Sequence, residues 1–215
     1  MNRRLLLLIP VMAIAMSLYA MTARVAVGNF SSGDLNGWEA KSFKGETYYT
    51  LTDNKDSRVL KAESNNSASG MVREIKIDLK QTPVLHWSWK TDDIFEGIDE
   101  RTKKGDDYPA RVYVVFSGGL FFWKTRAINY VWSSNQPVGS KWANAYTDNA
   151  QMIAVESGKK RSGQWLHEQR NVLDDYHQLF GEDAEFADAV AIMTDTDNSG
   201  LRTTAWYGDI WFSSE

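Results

Sequence analysis

The stretch HWSWK, residues 86 to 90, puts Trp87 and Trp89 on one side of an extended chain and His86, Ser88 and Lys90 on the other. Leu85 travels with the tryptophans. The same period of two runs through IKIDL at 75–79 and through ARVYVVF at 110–116. Short segments of this kind, rich in Val, Ile, Thr, Tyr and Trp, recur at 25–30, 38–43, 46–52, 57–63, 70–79, 83–91, 109–117, 121–132, 150–156, 164–170, 188–194 and 203–212. Polar turns such as SSGDLNG, TDNKDS, SNNSASG and DTDNSG separate them. Many short strands, each with one apolar face, must bury those faces against a second sheet. The pattern predicts an all-β, jelly-roll sandwich.

One helix is expected, over 171–180. In NVLDDYHQLFG, the residues Val172, Leu173, Tyr176, Leu179 and Phe180 form an apolar stripe at helical spacing. Asn171 suits the N-cap, Asp174 and Asp175 fall in the first turn, and Gly181 ends it. The helix is expected to close one end of the sandwich. The charged stretch 92–108, DDIFEGIDERTKKGDDY, reads as a surface loop.

The first residues read as a leader. MNRR is basic, and LLLLIPVMAIAMSLYA is an apolar run interrupted by Pro10 and ending in small residues. Residues 1–20 are expected to be a secretory signal peptide, cleaved after Ala20 or Ala23, with 24–215 forming a single β-sandwich domain. The protein is then periplasmic or secreted, with no stable membrane anchor after cleavage. The chain has no cysteine, so stability rests on burial rather than on disulfides. Removing Arg3 and Arg4 with the leader leaves 22 basic against 28 acidic side chains, a net charge of −6. Without a basic block, nucleic acid is not an expected partner.

The chemistry-bearing residues are sparse. The tryptophans of HWSWK are read as core, which leaves His86, Ser88 and Lys90 on the open face of their strand. By the same alternation Arg111 and Tyr113 lie on the open face of theirs. If the two strands were neighbours, a cationic surface with a tyrosine would result, suited to carboxylated or hydroxyl-rich ligands. The competing reading makes Arg111 the salt partner of Asp106, Asp107 or Asp209. LFFW at 120–123 reads first as the start of a buried strand and second as an exposed aromatic tip. Trp123, Asn129 and Trp132 are added to the candidate ligand-binding set of Lys90, Arg111 and Tyr113. In DTDNSG, Asp195, Asp197 and Ser199 precede a glycine as in the opening of a calcium loop, but Trp206 stands where a bidentate Glu would fall. A hairpin turn is the simpler reading. No G-x-S-x-G elbow occurs, and the three histidines show no metal-ligand spacing.

Together, WSWK, GDDYPARVYVVF, NYVW, RNVLDDYHQLFG, IMTDTDNSG and AWYGDIWF occur in an order that resembles a family of exported bacterial proteins known only as a domain of unknown function. That resemblance implies no activity and assigns no catalytic residues. NFSSGDLNGW and WYGDIWF also resemble the ends of galactose-binding-like jelly rolls. This second resemblance implies that Asp209 supports a structural calcium. No other cofactor is expected.

The first functional expectation is therefore a non-catalytic module for a glycan or other envelope ligand. The second is a lyase or glycoside hydrolase acting on an acidic polysaccharide, with Arg111 holding the carboxylate and Tyr113 or His86 moving the proton. The third is a structural envelope protein.

Overall fold

The computed structural model describes residues 23–55, 57–120 and 122–215. The leader expected over 1–20 lies outside the described residues. Two sheets pack face to face. The first contains β1 (Arg24–Gly28), β3 (Tyr48–Asn54), β4 (Ser57–Asn65), β6 (Val84–Thr91), β11 (Leu166–Asn171), β13 (Arg202–Tyr207) and β14 (Ile210–Ser213). The second runs in the order β2 (Trp38–Lys44), β5 (Ala68–Asp78), β12 (Phe186–Asp195), β7 (Arg111–Phe116), β8 (Arg126–Ser133), β10 (Thr147–Ser157) and β9 (Lys141–Asn144). The β8–β10 pair is parallel, and the other pairs are antiparallel.

The expected strand over 203–212 becomes two collinear pieces. Tyr207 pairs with Trp89 and Trp211 with His86, so β13 and β14 share one edge of β6 and slip by one residue at Gly208–Asp209. A Cβ on Gly208 would sit 2.2 Å from the Ser88 hydroxyl, which is why the bulge carries glycine. Strand β9 was not foreseen: KWAN is short and only one of its residues is a strong strand former.

The core forms where the inner faces meet. Trp87 and Trp89 of the first sheet are buried, as the alternation of HWSWK predicts. Trp87 meets Tyr130 at 5.4 Å and Trp89 meets Trp132 at 6.0 Å between ring centres. Tyr207 ties the sheets with polar contacts: its hydroxyl lies 2.8 Å from the Met193 carbonyl and 2.9 Å from the Thr194 hydroxyl.

Helix α1 (Val172–Phe180) forms as the stripe predicts. The Asn171 side chain accepts from the Asp174 amide, and Gly181 turns the chain at φ 72°. Tyr176 packs on Phe116 at the end of β7, and the Val172 amide donates to the Pro83 carbonyl. Buried Asp175 accepts from the Tyr130 hydroxyl and from the Arg170 guanidinium.

Two loops differ from their sequence reading. LFFW is no buried strand start: Leu120 is 95% exposed, Trp123 is 58% exposed, and Phe122–Lys124 form a single 3₁₀ turn. Strand β8 begins only at Arg126, because the apolar run has no alternation to match a half-buried strand. Segment 92–108 is a loop, exposed at 101–104 as expected, but it is pinned at several points. Phe95 and Tyr108 are buried, and the buried Glu100 carboxylate accepts from the Ser133 hydroxyl and the Ser134 amide.

Candidate ligand-binding groove

Arg111 and Tyr113 alternate with the core residues Val112 and Val114, so both point to the outer side of the second sheet. Met193 and Asp195 reach the same side from β12, next to β7. Around them opens a groove of ≈ 530 Å³. Its floor includes Arg111, Tyr113, Met193 and Asp195, and its walls include Phe43, Asn144, Tyr146 and Asn198. Phe43 sits where the β2–β5 register slips between Ser42 and Lys44, and this bulge leaves its ring 73% exposed. Tyr146 is 58% exposed. The Asn144 side-chain Oδ1 accepts from the Tyr146 amide at 3.0 Å, an Asx turn that fixes the ring's approach.

Arg111 is only 4% exposed. Its Nε donates to Asp195 Oδ1 at 3.0 Å, and its Nη2 donates to Asp195 Oδ2, a two-donor fork. Its Nη1 lies 4.0 Å from Asp106. The acid that holds it is therefore Asp195, which sequence reasoning had placed in a turn. Asp106 accepts from the Asn144 amide group at 3.1 Å on both oxygens. Burial pushes the Asp106 carboxyl above its ordinary value, with the Arg111 charge opposing. Burial likewise raises the Tyr113 hydroxyl, so it cannot serve as a base near neutrality; it donates weakly to Met193 Sδ at 3.4 Å. Tyr146 is raised by desolvation and then by the charges of Asp106, Asp197 and Asp107.

The fold separates the remaining sequence candidates. His86 and Lys90 are in β6 of the first sheet, so the cationic surface expected across β6 and β7 does not form. A strand of one sheet cannot neighbour a strand of the other through the core. The Lys90 ammonium covers the Trp206 ring at 3.8 Å. His86 stacks on Trp211 at 5.0 Å and meets the Ser213 hydroxyl at 2.6 Å, and burial lowers its pKa. The trio Arg111, Tyr113 and His86 is thus split between the two sheets. Trp132 is core rather than ligand-facing, with its Nε1 donating to the Gly158 carbonyl at 3.2 Å. Asn129 is on the outer side beside Tyr113 but is buried, and among the described residues its Nδ2 has no hydrogen-bond partner. Trp123 is exposed in the 122–124 turn, where its carbonyl accepts from Asn149.

Asp195 and Asp197 do come together, joined by Asp107 in place of Ser199 and Asp209; their carboxylates lie within 4.8 Å of one another. Both oxygens of Asp195 are engaged by Arg111, and Asp107 accepts the Asn198 and Ser199 amides at 3.1 and 2.6 Å. A guanidinium already supplies the positive charge that a divalent ion would bring. Asp209 is in the β13–β14 bulge and accepts from the Ser31 amide and hydroxyl. Phe43, Asn144, Tyr146 and Asn198 were missed by sequence reasoning. Asn144 and Tyr146 were signalled only by WANAY, around a strand too short to recognise, and Asn198 lay unassigned within DTDNSG.

A family model described as protein of unknown function (DUF3047) matches residues 36–211. Among curated proteins none matches the sequence. Solved structures share the fold. The family 30 carbohydrate-binding module of the cellulosomal cellulase Cel9D-Cel44B of Clostridium thermocellum superposes with a TM-score of 0.53 at 11% identity, covering 90% of this chain and 98% of that one. The cellulose induced protein Cip1 superposes with a TM-score of 0.50 at 11% identity, covering 87% and 96%.

Proposed function

We propose a non-catalytic glycan-binding role for this chain, which belongs to the DUF3047 family of proteins of unknown function. The observation that carries this reading is the groove on the second sheet, with two exposed aromatic rings, Phe43 and Tyr146, beside a polar floor. A sugar ring has apolar C–H faces and hydroxyl edges, so it needs both an aromatic surface and fixed polar groups. The first sheet offers less. Its half-buried Trp206 and Trp211 are covered by Lys90 and by Arg24 and His86. The fold is also that of a protein named a carbohydrate-binding module. Two of the groups that a bond-breaking role would draw on are engaged otherwise: burial holds Tyr113 protonated, and Asp195 is held by Arg111. The leader over 1–20 would deliver the protein to the periplasm or beyond, where such ligands are found.

Affinity electrophoresis against a polysaccharide panel, with reducing-end and unsaturated-product assays on the same samples, tests the reading. Phe43→Ala and Tyr146→Ala are expected to weaken retardation by about tenfold each, roughly 1.4 kcal/mol. Unchanged retardation in both variants would move the site elsewhere, and product formation would make the protein an enzyme.

A further inference from the structure

We propose that the groove selects uncharged, hydroxyl-rich glycans and turns away chains that bear carboxylates. This rests on the glycan-binding reading of the same groove. Among the described residues, the two cations that line the groove, Lys44 and Arg111, are each paired with an acid. Arg111 is held by Asp195 with Asp106 behind it. Lys44 donates to the Asp197 carbonyl at 2.8 Å, and its ammonium lies 3.6 Å from the Asp197 carboxylate. Lys103 sits over the Tyr146 ring at 5.1 Å. Against Lys44 and Arg111 stand Asp106, Asp195 and Asp197 in the lining, and beside it Asp107 joins Asp195 and Asp197 while Lys103 adds one further cation. The uncompensated charge is therefore negative.

The groups facing the groove keep mostly acceptor capacity: the Asp197 carboxylate beyond its pairing with Lys44, the Tyr113 hydroxyl oxygen that donates its proton to Met193, and the Asn198 carboxamide oxygen, which accepts one bond from the Tyr146 hydroxyl at 3.3 Å. Sugar hydroxyls bring donors to them. A uronate brings a carboxylate with no donor and a like charge, into a site partly shielded from water where that repulsion is felt more strongly. Arg111 cannot turn to receive it, because Asp195 would then be left buried and unpaired.

Matched polymers that differ only in charge test this. The purified protein is run in affinity gels containing hydroxyethyl against carboxymethyl cellulose, and methyl-esterified against de-esterified homogalacturonan. The neutral member of at least one pair is expected to bind about tenfold or more tightly than its anionic partner. Asp197→Asn is expected to narrow that ratio by about three- to tenfold. Asp53→Asn changes the net charge equally but lies far from the groove lining, and it is expected to leave the ratio unchanged. Equal or tighter binding of the anionic member overturns the charge selection while leaving glycan binding intact. An equal effect of both variants overturns its assignment to the groove. Binding to no member of any pair overturns this inference and the glycan reading together.

Discussion

Arg111 has the chemistry of a carboxylate receptor and the position of a structural ion. Its fork is closed by Asp195, 84 residues away in the chain, and both side chains are almost completely buried. Removing one partner leaves the other as an uncompensated buried charge. Arg111→Ala is therefore expected to cost about 3–5 kcal/mol of folding stability, read as a lower midpoint in urea unfolding. Arg111→Lys keeps the charge without the planar fork and is expected to cost less. A variant that melts like the wild type but no longer binds glycan would return Arg111 to the ligand. The alternation around it, and hence its outward direction, was legible in the sequence. Its partner was not, because a salt pair between distant strands leaves no local spacing to read. For the same reason DTDNSG could be read as a cation loop: the acids are there, and Asp195 holds a guanidinium from another strand.

At the scale of elements, the segment 92–108 behaves as a clamp that delivers Asp106 and Asp107 to the groove. Glu100 anchors it to Ser133 and Ser134. Gly105 lets it pass close to itself, since a Cβ there would come within 2.3 Å of the Asp99 carbonyl oxygen and 2.8 Å of the Asp99 nitrogen. These are backbone atoms and cannot rotate away. Gly105→Ala is expected to cost about 1–3 kcal/mol and to weaken ligand binding in step, as the turn displaces Asp106. Wild-type melting with wild-type affinity would show the turn to be pliable. Helix α1 was readable to within a residue because cap, stripe and terminating glycine are all local. LFFW and KWAN were misread or missed for the opposite reason: a run without alternation and a strand of four residues carry too little periodicity.

Across the whole molecule, several carboxyls are buried as the sheets close. Glu100, Asp106 and Glu168 are all held above their ordinary values, chiefly by desolvation. The folded protein keeps protons there that the unfolded chain releases. Their contribution to stability is fully present below the ordinary carboxylate range and is lost as pH rises through the raised folded values. Melting temperature is expected to fall, on their account, as pH rises above the ordinary carboxylate range, and Glu100→Gln is expected to flatten that slope. A slope identical in the two proteins would show that Glu100 does not titrate in this range.

The sequence by itself determined the class of the molecule. Period-two alternation, polar turns and one capped helical stripe admit a two-sheet β-sandwich and little else, because each strand must bury the face its side chains make apolar. It also determined the inward faces of the strands with clean alternation, and so the burial of Trp87 and Trp89, though not that of Trp132. Only the tertiary structure decided which strands became neighbours. That step separated Lys90 and His86 from Arg111, matched Arg111 to Asp195, and brought Phe43 and Tyr146, from the two opposite edges of the second sheet, to one groove. Alternation is a property of one strand. A binding groove is a property of several, assembled by pairings whose energies depend on contacts between residues far apart in the chain.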